Sequence, residues 1–82
     1  MNAQVMTAIF KKGDRVQWSA KFLKAGKIID PRWYEEHVSE IGTVDWIQRD
    51  GDVLVLWDGA HDTTVHPPNR LAHALVEKGA TL

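Results

Sequence analysis

Eighty-two residues suffice for a single domain, since domains commonly run about 100–150 residues. The formal net charge of −1 argues against bulk nucleic-acid binding through counterion release, and the absence of cysteine excludes a disulfide framework and thiolate metal sites. No stretch approaches the roughly 18–20 apolar residues of a membrane-spanning helix, and the first ten residues lack the pattern of a signal peptide, so a soluble cytoplasmic protein is expected.

Residues 1–9 show no persistent period and read as a flexible N-terminal arm. Residues 14–18 form a first strand with Val16 and Trp18 on one face. Ser19-Ala-Lys-Phe-Leu-Lys-Ala-Gly26 suggests one helical turn closed by Gly26, with Phe22 and Leu23 covering an open end of the fold. Asp30-Pro31 is a helix start, because Asp accepts from orphan amides and Pro suits the first helical position. That helix is expected to run to Ser39, with Gly42 beyond its end. Trp33 and Tyr34 are neighbours on it and so face different ways, one packed and one exposed.

Residues 43–48 form a second strand, with Asp50-Gly51 supplying positive φ in the turn that follows. Residues 53–57 form a third, whose nearly continuous apolar run implies burial on both faces or strong bending. A turn at 58–62 leads to a fourth strand at 63–66. Pro67-Pro68 then stops the ladder, and residues 69–71 fit a 3₁₀ turn that delivers Leu71 into the core. Residues 72–82 make a C-terminal tail of marginally helical composition.

Gly13-Asp-Arg-Val, Gly42-Thr-Val, Val53-Leu-Val-Leu-Trp-Asp-Gly59 and the Pro-containing segment ending at Leu71 together resemble SH3-like barrels of the Tudor and KOW kind. The likeness is strongest to the small, mostly uncharacterised barrels of bacteriophages and mobile elements. It implies a mainly β fold, a five-stranded SH3-like barrel over residues 10–71, with a short helical insert between strands one and two. The opening Gly-Asp-Arg-Val is also similar to the type B dihydrofolate reductases. Where that family has Val-Gln-Ile-Tyr-Pro, this chain reads Thr63-Thr-Val-His-Pro67 and lacks the Gln and Tyr that meet folate and nicotinamide.

Charge is unevenly placed along the chain. Residues 11–32 carry seven basic and two acidic side chains, whereas residues 33–62 carry one basic and eight acidic. The plain account is solvated loops; the sharper one is a basic face built from Lys11, Lys12, Arg15, Lys21, Lys24 and Lys27. Trp18, Trp46 and Trp57 suggest an aromatic platform, with Trp57 at the groove. His61, Asp62 and His66 have the chemistry of metal ligands but the wrong spacing for one strand face, so no metal is expected. His37 and His73 read as surface residues. With no nucleophile in an activating context and no phosphate-cradling loop, neither an enzyme nor a cofactor is expected.

The sequence therefore predicts a non-enzymatic interaction module for a protein partner, with an origin in a phage or mobile element and an action on host machinery as the expectation. Lys21, Lys24, Arg32, Trp33 and Tyr34 supply contacts from the insert, and Trp57, Asp58 and His61 line the floor. The alternative is a KOW-like nucleic-acid-binding barrel that uses the basic face on phosphates and an exposed aromatic for stacking. Self-association is open to either.

Overall fold

A computed structural model describes residues 9–74. Five strands, β1 (Arg15–Trp18), β2 (Ile41–Ile47), β3 (Val53–Trp57), β4 (Thr64–His66) and β5 (Leu71–His73), form one antiparallel sheet in the order β4-β3-β2-β1-β5. Two helices, α1 (Ala20–Ile29) and α2 (Pro31–His37), join β1 to β2, and a 3₁₀ turn (Pro68–Arg70) joins β4 to β5. The expected mainly β fold with a helical insert is present. The closed barrel is not: among the described residues β4 pairs with β3 and β5 with β1, which leaves both outer strands as free edges.

The sheet curls without closing. Trp18 of β1 stacks on Trp57 of β3 at 4.5 Å and meets the His66 ring of β4 edge-on at 4.8 Å. In a flat sheet β1 and β4 would lie about 14 Å apart, so the inner face is strongly concave. Val16, Trp18, Val44, Val53, Val55, Trp57 and Leu71 fill it together with Phe10, and Phe22, Leu23 and Ile47 pack against them. Burial alternates along β3: Val53, Val55 and Trp57 are buried and Leu56 is exposed. Its apolar run is therefore not buried on both faces: Leu54 and Leu56 lie on the outer side, half-buried and exposed. Gly42, expected to stop a helix, sits in β2 opposite Trp57, where a Cβ would come within 2.6 Å of Val55 and 3.0 Å of the Trp57 ring.

One irregularity decides which tryptophan sees solvent. Val44 pairs with Val55 but Trp46 with Leu54, so Asp45 is an extra residue in β2. Without that bulge Trp46 would share the inner face with Val44. With it, Ile47 turns inward beside Val53, and Trp46 points out with 58% of its surface exposed.

The insert is longer than its sequence suggests. Ser19 caps α1 by accepting from the Phe22 amide, and the helix passes through Gly26 to Ile29. Asp30 then ends one helix and starts the next. Its backbone N–H donates to the Gly26 carbonyl, while its carboxylate accepts from the Arg32 and Trp33 amides, with Pro31 at the first turn of α2 as expected. Gly26 is needed not as a stop but for space, because a Cβ there would run into the Trp33 ring.

The ends also depart from expectation. Ala72 and His73 continue as β5 instead of starting a helical tail, and the remainder of that tail lies outside the described residues, as does nearly all of the N-terminal arm. The His73 ring packs on Phe10 at 4.7 Å and its Nε2 lies 3.0 Å from the Ile9 carbonyl, so His73 anchors the start of the described chain. As a test of the insert's docking, Gly26→Ala is expected to lower stability by about 1–3 kcal/mol in urea unfolding. A gain of about 1 kcal/mol would mean that helix propensity outweighs the Trp33 contact.

Candidate functional site

Three of the four tryptophans are committed to holding the molecule together. Trp33 of α2 packs edge-on against Phe22 of α1 at 5.4 Å and, tilted, against the His37 ring at 4.9 Å, and Phe22 lies 5.2 Å from Trp18. An aromatic row thus runs from Trp57 through Trp18 and Phe22 to Trp33, tying the insert to the sheet. Arg70 adds its guanidinium 5.0 Å over the outer side of Phe22. Trp57, placed by the sequence at a groove floor, is instead buried in the core. Trp33 is half-buried and turned toward the sheet.

Polar ends of these rings are matched with care. Glu40 Oε1 accepts from Trp18 Nε1 at 2.9 Å and lies 2.7 Å from His37 Nδ1, which donates to it. His37 is therefore engaged on both its ring face and its nitrogen. Trp57 Nε1 donates to Thr64 Oγ1 at 3.1 Å and to His66 Nε2 at 3.3 Å, while the Thr64 hydroxyl lies 2.6 Å from that same nitrogen. This triangle works only with His66 Nε2 unprotonated, since a proton there would face a second donor. Burial, reinforced by the charge of Arg70 and partly opposed by Glu40, pushes the His66 pKa below its usual value.

The charged residues divide into paired and unpaired. Arg15 grips Asp58 through both carboxylate oxygens, at 2.9 and 2.6 Å, and also donates to Thr43. Those hydrogen bonds hold the Asp58 carboxyl below its usual pKa, and so Asp58 is not the open contact expected of it. Asp14 is likewise lowered, chiefly by the Lys11 backbone amide. His61 is exposed in the turn between β3 and β4. Among the described residues no three His, Cys, Asp or Glu side chains come together in a way that could hold a metal ion.

What remains available is the outer side of the insert. Ala20, Leu23, Lys24 and Lys27 of α1 with Tyr34 of α2 line an open groove of about 270 Å³, and the Lys27 ammonium lies 4.9 Å over the Tyr34 ring. Of the residues singled out from sequence, Lys24 and Tyr34 meet here, and Lys21 and Arg32 are exposed on the same insert. Lys27 was read only as part of a basic face, Leu23 as a cover for an open end of the fold, and Ala20 not at all, although 20, 23, 24 and 27 carry the helical spacing that a longer α1 would have exposed. Ile28 and Ile29 at the end of α1 are 77% and 83% exposed. On the sheet, Trp46 is the exposed tryptophan, with Lys12 5.9 Å from its ring.

Compared with family models, curated proteins and solved structures, the chain matches none.

Two outcomes test the polar network. Because the native His66 pKa is depressed, the unfolded chain takes up its proton first, so stability is expected to fall as pH drops below about 6.5 and to go on falling until the folded form also protonates. His66→Gln should flatten the urea midpoint between pH 7.5 and 5.5; an unchanged slope would assign it elsewhere. The contributions of Asp14 and Asp58 should be lost only below about pH 3.8. Separately, Glu40→Ala should cost about 1–3 kcal/mol by leaving Trp18 and His37 without an acceptor, and Glu40→Gln should cost less.

Proposed function

We propose that this chain is a small SH3-like interaction module whose helical insert docks an acidic protein surface. The order β4-β3-β2-β1-β5, with a 3₁₀ turn before the last strand, supports the SH3-like reading as an opened form of that barrel. The insert takes the place of the long loop between the first two strands, a position from which ligands are reached.

The observation that carries the proposal is the composition of α1. It presents Lys21, Lys24 and Lys27 with no acidic residue, beside an apolar and aromatic groove formed by Leu23 and Tyr34. Such a surface offers charge complementarity and a place for one anchoring side chain, the usual division of labour at protein interfaces. The groove, about 270 Å³, is wide open to solvent, which suits a protein surface. The tryptophans Trp18, Trp33 and Trp57 serve the interaction indirectly, by fixing the insert on the sheet.

Affinity capture from bacterial lysate, with and without nuclease and read by mass spectrometry, tests this. A discrete protein is expected to persist after nuclease and to be lost with Lys21→Glu/Lys24→Glu, whose melting temperature should equal that of the parent. Capture that disappears with nuclease would favour the nucleic-acid alternative, and loss of folding in the double variant would remove the case for these lysines as contacts.

A further inference from the structure

Among the described residues, a second exposed surface lies on the convex side of the sheet. The β2 bulge turns Trp46 outward, directly opposite Leu54, which in turn pairs with Val65 of β4. Trp46, Leu54 and Val65 therefore form a cross-strand apolar row, and Leu56 lies on the same face two residues along β3. Trp46 is 58% exposed, Val65 49% and Leu56 39%. The segments next to this face are mainly acidic: the exposed bulge residue Asp45, Asp50 and Asp52 in the turn after β2, and Asp62 in the turn after β3. With Asp58 taken up by Arg15, residues 45 to 62 leave four acidic side chains against Arg49, and Lys12 lies beside Trp46.

α1 presents the opposite combination. Lys21, Lys24, Ala25 and Ile28 are all exposed and, at spacings of three and four, share one helix face. Two lysines there flank an apolar strip ending in Ile28, and α1 contains no acidic residue. One chain thus carries an acidic apolar surface and a basic apolar surface on separate elements.

We infer that the chain associates head to tail, the basic face of α1 in one copy docking on the convex sheet face of the next. The inference rests on the reading of α1 as a docking surface, shares Lys21 and Lys24 with it, and uses the side of Ala25 and Ile28 beside the groove. Charge decides the pairing. Sheet against sheet would bring two acidic surfaces together, and helix against helix would oppose the lysines, so neither symmetric arrangement is favoured. Helix against sheet buries Ile28 and Ala25 on Trp46, Leu56 and Val65 while setting Lys21 and Lys24 against the aspartates. The Trp46 ring already accommodates a cation, Lys12 at 5.9 Å, which shows that its face suits a lysine. Because the two surfaces differ, the contact is heterologous and propagates into rings or open chains.

Analytical ultracentrifugation of the full chain tests this with two variants that each disable one surface. Trp46→Arg spoils the sheet face and Lys21→Glu/Lys24→Glu the helix face; Val65→Arg serves in place of the first if Trp46→Arg lowers the melting temperature. The parent mass should rise with concentration, less so in high salt, and each variant alone should associate about tenfold or more weakly. Mixed, the two variants should form a one-to-one dimer that grows no further, since one sheet face and one helix face remain intact. A monomeric parent at all concentrations, a mixture that stays monomeric, or single variants that still dimerise would each overturn the inference. If the parent is monomeric yet Lys21→Glu/Lys24→Glu abolishes capture of a lysate protein, self-association fails while the docking role of α1 stands. If capture is also unaffected, both fail.

Discussion

The Trp18 ring is the contact on which the rest of the molecule depends. It stacks on Trp57 at 4.5 Å, meets His66 and Phe22, and hands its indole N–H to Glu40. Five strands of three to seven residues make too small a sheet to bury itself flat. A buried indole removes about 200 Å² from water, and a pair of them at the centre draws β1 and β4 together over a concave face. The same ring reaches the insert through Phe22, so the curvature of the sheet and the placement of α1 and α2 have a common cause. Glu40 completes the arrangement from the start of β2 by accepting from Trp18 and His37 at once.

Wrapping a thin core in this way leaves polar ring atoms close to apolar neighbours, where an unpaired donor is costly. Glu40 and the pair of Thr64 and His66 provide the acceptors. His66 performs that role only as a neutral imidazole, which links the packing of Trp57 to pH through an acceptor nitrogen that acid removes. The remaining ion pair of note, Arg15 with Asp58, lies across the outer face and ties β1 to the turn after β3. It takes two charges out of the reckoning for any ligand.

A division of surfaces follows from two local features. The bulge at Asp45 rotates Trp46 out of the core, and the sharp Asp30-Pro31 junction turns the chain so that α1 is held from one side by Trp33 while its lysines stay in solvent. Lys21, Lys24 and Lys27 then fall on α1, while Asp45, Asp50, Asp52 and Asp62 fall on β2 and the turns beside β3. Charge segregation in sequence thus becomes charge segregation in space, on elements that also expose apolar side chains.

Much of the fold was legible locally. Four of the five strands, the Asp30-Pro31 helix start, the Asp50-Gly51 turn and the burial of Leu71 follow from alternation, capping and turn chemistry, which act within a few residues; β5, read as the start of a helical tail, does not. The candidate surface was legible only in part: Lys21, Lys24, Arg32 and Tyr34 lie exposed or at the groove, whereas Trp57 and Trp33 serve packing and Asp58 is held by Arg15. Three strand tryptophans cannot be ranked by exposure from sequence, because a single extra residue in β2 reverses the face of everything beyond it in that strand. Gly26 misled for a related reason, since its space is claimed by a ring seven residues away on another helix. The sequence by itself determined strand order along the chain, the helical insert and the uneven distribution of charge. Only the tertiary structure decided that the sheet stays open, that Trp46 is the exposed ring and that α1 runs past its glycine, because each depends on the pairing register or on contacts between residues distant in the chain.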